Sequence, residues 1–148
     1  MSDECPSCSS VGPREPESAS DYRLTHWPIQ IGLMGTTIPF LNDAELLVAA
    51  DCTAFAALNF HDRFLRNNKV LIGCPKLDNG QAYLDKFAEI FANMAIKKLT
   101  CLRMEVPCCG GLTAILNEAM NRSGKEIPFY ETIIGVKGDT LNERKLRG

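Results

Sequence analysis

Met104-Glu105-Val106-Pro107-Cys108-Cys109-Gly110-Gly111-Leu112 is the stretch from which the rest of the chain can be laid out. Before it, Leu99 to Val106 is an apolar run of strand character. After it, Leu112 to Met120 carries its apolar residues at helical spacing, and two glycines open that helix. A strand that turns tightly into a helix is the first half of a βαβ unit. The helix start leaves backbone N–H groups without intrahelical partners, and the helix dipole favours negative charge there. Cys108 and Cys109 therefore stand where a thiolate or an anionic cluster is favoured, and the thiol at the helix start is expected to have the lower pKa.

The same construction recurs upstream. Cys52 follows Leu46-Leu47-Val48-Ala49-Ala50-Asp51, and Cys74 follows Val70-Leu71-Ile72-Gly73. Pro75 ends the ladder just where the Cys74 thiol emerges. Strands are predicted at Ile29 to Met34, Glu45 to Ala50, Lys69 to Gly73, Lys98 to Val106 and Tyr130 to Val136. Thr53 is expected to cap a helix reaching Leu65, with Phe55, Leu58, Phe60 and Phe64 among its apolar positions. Asp78 or Asn79 is expected to cap a second helix to Met94, whose stripe is Tyr83, Phe87, Ile90 and Phe91. The third helix ends near Ser123-Gly124. Lys137 to Gly148 reads as a mixed-charge tail. Alternating strands and helices imply right-handed βαβ units: a three-layer, Rossmann-like α/β domain with a mostly parallel sheet of about five strands, its strand order open.

The 148 residues are one domain's worth, enough to bury somewhat under ~70% of the unfolded chain's surface. Residues 1–24 are polar, with Ser, Pro and Glu, and read as a mobile N-terminal tail; residues 25–148 form the single α/β domain. The formal net charge is -2, and 16 basic residues are scattered among 18 acidic ones. No basic stripe with interleaved aromatics is present, so nucleic acid and membrane are not expected partners. The N-terminal residues have no apolar signal region, and no apolar run approaches the ~18 residues needed to cross a bilayer. A cytoplasmic location is the expectation. In a reducing compartment the seven cysteines stay free, and clustered thiols there bind metal or do redox chemistry.

In an open parallel sheet, ligands bind beyond the carboxyl ends of the strands, where the winding direction reverses. Cys52, Cys74 and the Cys108-Cys109 pair all fall at such ends, which makes them candidate ligands of one metal site. Thiolates select zinc, copper(I) and iron–sulfur clusters; the sequence has no zinc-finger Cys/His spacing, and widely separated cysteines suit a 4Fe-4S cubane. Three corners are expected from Cys52, Cys74 and one of Cys108 or Cys109. The fourth is left to Cys5 or Cys8 of Cys5-Pro6-Ser7-Cys8, to the second of the vicinal pair, or to substrate. A zinc-binding structural or interaction module is the alternative of another class. A third is a nucleotide- or flavin-binding enzyme using Gly110 and Gly111, although neither GxGxxG nor GxxxxGK[ST] occurs. A thiol-only redox protein cycling through Cys74 with Cys108 or Cys109 is a fourth. Cys101, in mid-strand, is expected to be a small core hydrophobe. Trp27 is read as a packing residue at the sheet edge, His26 as a hydrogen-bonded polar neighbour and His61 as a surface residue.

Trp27-Pro28-Ile29-Gln30, Ala49-Ala50-Asp51-Cys52, Asn59-Phe60-His61, Gly73-Cys74-Pro75-Lys76-Leu77-Asp78 and Met104 to Leu112 together resemble a known family. It is the C-terminal domain of the 4Fe-4S ferredoxin-type iron–sulfur proteins of anaerobic bacteria and archaea. The resemblance spans residues from about 25 to 140. It implies an iron–sulfur context and an electron-handling role, with Cys52, Cys74, Cys108 and Cys109 matching position by position and Cys101 outside any motif. Members usually carry an N-terminal module with two ferredoxin-like cluster motifs. This sequence lacks those motifs, so the resemblance implies an electron-donor or acceptor protein as partner. Members also tend to have Cys-x-Cys-Pro-Gly before the domain, where this chain has Cys5-Pro6-Ser7-Cys8.

Overall fold

The computed structural model describes residues 24–148. Its sheet is built from β1 (Glu45–Ala50), β2 (Lys69–Gly73), β3 (Lys98–Met104), β4 (Phe129–Ile134) and β5 (Thr140–Arg147), in the spatial order β2-β1-β3-β4-β5. The first four strands are parallel and β5 is antiparallel to β4. The helices are α1 (Thr53–Ala56), α2 (Gly80–Asn93) and α3 (Gly110–Ser123), with a π-helical turn at Phe60–Leu65.

The winding follows from handedness. From β1 the chain moves one strand outward to β2; from β2 it crosses back over β1 to β3, and then on to β4. Right-handed crossovers in opposite directions place their helices on opposite faces. Accordingly α2 and α3 pack on each other. The face they cover carries Val48, Cys101 and Glu131 in register, and Thr113 of α3 reaches both Cys101 and Glu131. The opposite face carries Leu47, Thr100 and Tyr130.

Helix α2 forms as its periodicity demands. Asn79, not Asp78, is the cap: its Oδ1 accepts from the backbone N–H groups of Gln81 (2.9 Å) and Ala82 (3.2 Å), worth about 1 kcal/mol. Tyr83, Phe87, Ile90 and Phe91 are all buried, each contributing roughly 2 kcal/mol relative to exposure. Helix α3 buries Leu112, Leu116, Ala119 and Met120 and stops at Gly124, which adopts the left-handed conformation at φ 72°.

Four expectations are corrected. Ile29 to Met34 is not a strand. Only Gln30 bridges to Ile72, and Ile31–Leu33 is a 3-10 turn laid along the outer edge of β2, where it covers an otherwise open ladder. The five-strand count is instead completed by Thr140–Arg147, which had read as a tail. Its exposed, charged side chains hide any apolar alternation, as befits an edge strand. The single helix from Thr53 to Leu65 is broken. The Thr53 hydroxyl bonds back to the Ala50 carbonyl (2.7 Å), not to a helix N–H, and the Leu58 N–H goes to the Gly138 carbonyl. Phe55 and Leu58 consequently point outward, 95% and 71% exposed. Finally, Trp27 is 57% exposed and does not pack into the sheet edge. His26 does what was expected, meeting the Val70 carbonyl through Nε2 at 2.8 Å, and His61 is exposed.

β5 is held by charge. Glu131, 1% exposed, receives hydrogen bonds from Arg103 (2.8 Å), Arg144 (2.8 Å) and Thr113 (2.6 Å). Burial alone would raise its pKa, but the Thr113, Arg103 and Arg144 donors together outweigh burial and hold the carboxyl below the usual range. A depressed folded-state pKa stabilises the fold above the ordinary value of 4.5 and loses that contribution as pH falls below it. Glu131→Gln leaves Arg103 without its counter-charge and should cost about 3 kcal/mol at neutral pH. Chemical denaturation from pH 7 to 3 should show the gap between wild type and variant closing on the acid side. A pH-independent gap would contradict the assignment.

Gly138 has φ 98°, and a Cβ there would sit 2.6 Å from the Ala56 carbonyl oxygen and 2.8 Å from Leu58 Cγ. Gly138→Ala should therefore lower stability by roughly 1–3 kcal/mol, read as a lower urea midpoint at unchanged slope.

Candidate functional site

The reversal of winding lies between β1 and β3, the two neighbours from which the chain departs in opposite directions. A crevice forms at the carboxyl ends of such a pair. Cys52 follows β1, Cys74 follows β2, and Cys108 and Cys109 follow β3, so all four thiols lie at one end of three adjacent strands. The cysteines of the described residues are all free thiols.

Their surroundings differ. Cys52 and Cys108 are exposed, Cys74 is half-buried and Cys109 is buried. Cys109 ends the 3-10 turn Pro107–Cys109 that precedes α3. Burial pushes its thiol up, a hydrogen bond with the Met104 backbone pulls it down, and the charges of Cys108 and Cys52 push it up again. The β1 and β3 thiols thus share one electrostatic neighbourhood. Cys109 at the helix start is thus a raised thiol, and burial is the largest cause. Cys101 is fully buried, its pKa pushed up to about 12 mainly by burial, and its sulfur lies 3.5 Å from the Thr113 hydroxyl oxygen, whose proton goes to Glu131. It is the inert core thiol that its mid-strand place predicted.

The Cys74 loop is pinned by Tyr83, read from sequence only as a core residue. The Cys74 N–H donates to the Tyr83 hydroxyl (3.2 Å), which in turn donates to Asp78. The turn closes through Asp78 N–H to the Cys74 carbonyl (2.9 Å). Gly73 is required here, since a Cβ would collide with the Tyr83 ring. Burial and the Asp78 carboxylate both raise the Tyr83 pKa, keeping the hydroxyl protonated. Asp51, between β1 and Cys52, has a buried Oδ1 with no hydrogen-bond partner among the described residues. Burial, then the charge of Asp78, raises its carboxyl. Sequence reading passed over this Asp51–Asp78–Tyr83 group; the only signal was two acids flanking thiols at strand ends.

At α3, a Cβ on Gly110 would meet nothing within 4 Å, and one on Gly111 would touch Pro75 at 3.8 Å. The start of α3 is thus open at Gly110, and the Cys74-Pro75 loop lies near Gly111 at a distance that a Cβ would also accept. Phe55 on α1 and Leu58, Leu77 and Val136 on the loops, between 63% and 95% exposed, follow the carboxyl ends of strands at this end of the sheet. Among the described residues no three His, Cys, Asp or Glu side chains are grouped so as to hold a single metal ion. Cys5 and Cys8 lie outside the described residues.

Residues 38–147 match the Rossmann-like domain family. The chain belongs to that family. An uncharacterized protein of Archaeoglobus fulgidus is 33% identical over 115 residues, which is 78% of this chain and 81% of the relative. No solved structure matches significantly. The Rossmann-like domain places its thiols where that fold offers its ligand crevice. No helix of the described residues is long and apolar enough to cross a membrane.

In reduced, metal-free protein, iodoacetamide should modify Cys52 and Cys108 first and Cys109 later. Cys101 should react only after unfolding, by peptide mapping at timed quenches. Native-state labelling of Cys101 at the rate of Cys52 would contradict its place in the core.

Proposed function

We propose that this Rossmann-like domain binds a 4Fe-4S cluster at the β1/β3 crevice and serves electron transfer, or a redox or sulfur-transfer reaction, with a protein electron donor or acceptor in the cytoplasm. The observation that carries the reading is the placement of four cysteines, up to 57 positions apart (109 minus 52), just beyond the carboxyl ends of three neighbouring parallel strands. The resemblance of the same motifs to ferredoxin-type iron–sulfur proteins supports it independently.

The donor set fits the group. It is all thiol at the crevice itself, the soft chemistry that iron–sulfur clusters require. Cluster corners stand further apart than the ligands of one ion, which suits cysteines spread over three loops. Cys52, Cys74 and Cys108 would hold three irons, with the buried Cys109, or Cys5 or Cys8, for the fourth. When bound, the cluster supplies one-electron chemistry. The chain's own contribution is to hold Cys74 in a turn locked by Tyr83 and Asp78, and to leave space before α3 at Gly110. The exposed apolar rim of Phe55, Leu58, Leu77 and Val136 suits short-lived docking of a protein that exchanges electrons there.

Anaerobic reconstitution tests the reading. The protein should turn brown and retain iron and acid-labile sulfide in equal amounts. Cys52→Ser and Cys74→Ser should lose the cluster, while Cys101→Ser should keep it at some cost in stability. Colourless protein without iron or sulfide overturns the proposal, and stoichiometric zinc without sulfide replaces it with a structural metal module.

A further inference from the structure

On the face opposite α2 and α3, a groove of about 390 Å3 runs between the π-helical turn and β5. Leu47 and Phe64 form its apolar wall, and Thr100, Thr132 and Tyr130 lie among its polar and aromatic lining. Lys98 is the first residue of β3, Tyr130 is next to the first of β4, and Lys145 lies near the end of the antiparallel β5. This cluster therefore sits at the amino end of the parallel strands, away from the cysteines.

The charges in this groove are not balanced. Arg63 is paired with Glu143 at 2.7 Å, and Arg144 with Glu131 at 2.7 Å. Lys98 and Lys145 have no carboxylate within ion-pair distance among the described residues. Both ammonium groups instead approach a single ring, that of Tyr130, with Nζ at 4.8 Å and 5.7 Å from its centroid. Two like charges gathered around one aromatic ring repel each other, and the ring quadrupole offsets this only in part. A multiply charged anion in the groove that both lysines line would offset the imbalance. Lysines, compact charges with three rotatable donors each, suit a phosphate-type oxyanion, and the threonine hydroxyls add uncharged donors on the groove floor.

We propose that the Lys98–Tyr130–Lys145 groove is a binding site for a small molecule carrying a phosphate-type polyanion, separate from the thiol crevice. The site needs no cluster, so it stands or falls independently of the proposed function.

Calorimetric titration of the full-length, cluster-free chain with pyrophosphate at low ionic strength tests it, with inorganic phosphate as the less charged probe. One saturable site is expected, tighter for pyrophosphate than for phosphate and weakened as salt rises. Lys98→Ala and Lys145→Ala should each lower the affinity at least fivefold, whereas Lys137→Ala, on the β4–β5 turn, should leave it unchanged. Circular dichroism confirms that the variants are folded; should Lys98→Ala fail to fold, the exposed Lys145→Ala decides. Absence of saturable binding, or equal losses in all three variants, overturns the proposal, the latter by showing diffuse charge attraction.

Discussion

The constraint on which this molecule turns is the handedness of its crossovers. A right-twisted strand feeding a right-handed helix returns to the sheet in one sense only, so a chain that goes first to β2 and then back past β1 to β3 must change faces. That change opens a gap at the carboxyl ends of β1 and β3, where no helix can cover both strand ends. Cys52 and the Cys108-Cys109 pair follow the two strands that border this gap, and Cys74 is one strand away. Strand order brings positions distant in sequence to one end of three adjacent strands, without any local motif joining them.

The elements around the gap are built to fix loops more than to form long helices. The segment after Cys52 makes one turn of α1, gives the Leu58 N–H to the Gly138 carbonyl and resumes as a π-helical turn. The β4–β5 turn therefore braces the Cys52 loop, and Gly138 is obligatory at that contact. Tyr83 does the same for the Cys74 loop from α2. A π-helical turn beside a candidate site accords with the tendency of such turns to occur at functional places. The cost is visible in Phe55 and Leu58, apolar side chains turned out to solvent.

Electrostatics divides the molecule into two regions. Glu131 is buried yet ionised, because two guanidinium groups and a hydroxyl satisfy it, and through Arg144 it ties β5 to β4. Around the crevice the balance is reversed: Asp51 and Cys109 are both raised by burial, to which Asp78 adds at Asp51 and Cys108 and Cys52 add at Cys109.

Reading along the chain was enough for the α/β class, for three of the parallel strands nearly to the residue, for the α2 stripe and for the Gly124 stop. These depend on apolar periodicity and on capping chemistry, which are local. Ile29 to Met34 misled because an apolar run that covers a strand edge looks like a strand. Thr140–Arg147 was missed because an edge strand is charged by design, and its partner's hydrogen bonds, not its composition, make it a strand. The broken helix after Cys52 was illegible too, since its interruption comes from Gly138, about 80 residues away.

For the site, the types of residue and their strand-end positions were present in the one-dimensional chain. The order β2-β1-β3, the burial of Cys109, and the linkage of Asp51, Asp78 and Tyr83 were not. The reason is physical: periodicity and capping act over a few residues, whereas adjacency, burial and charge balance arise only when remote segments exclude water from one another.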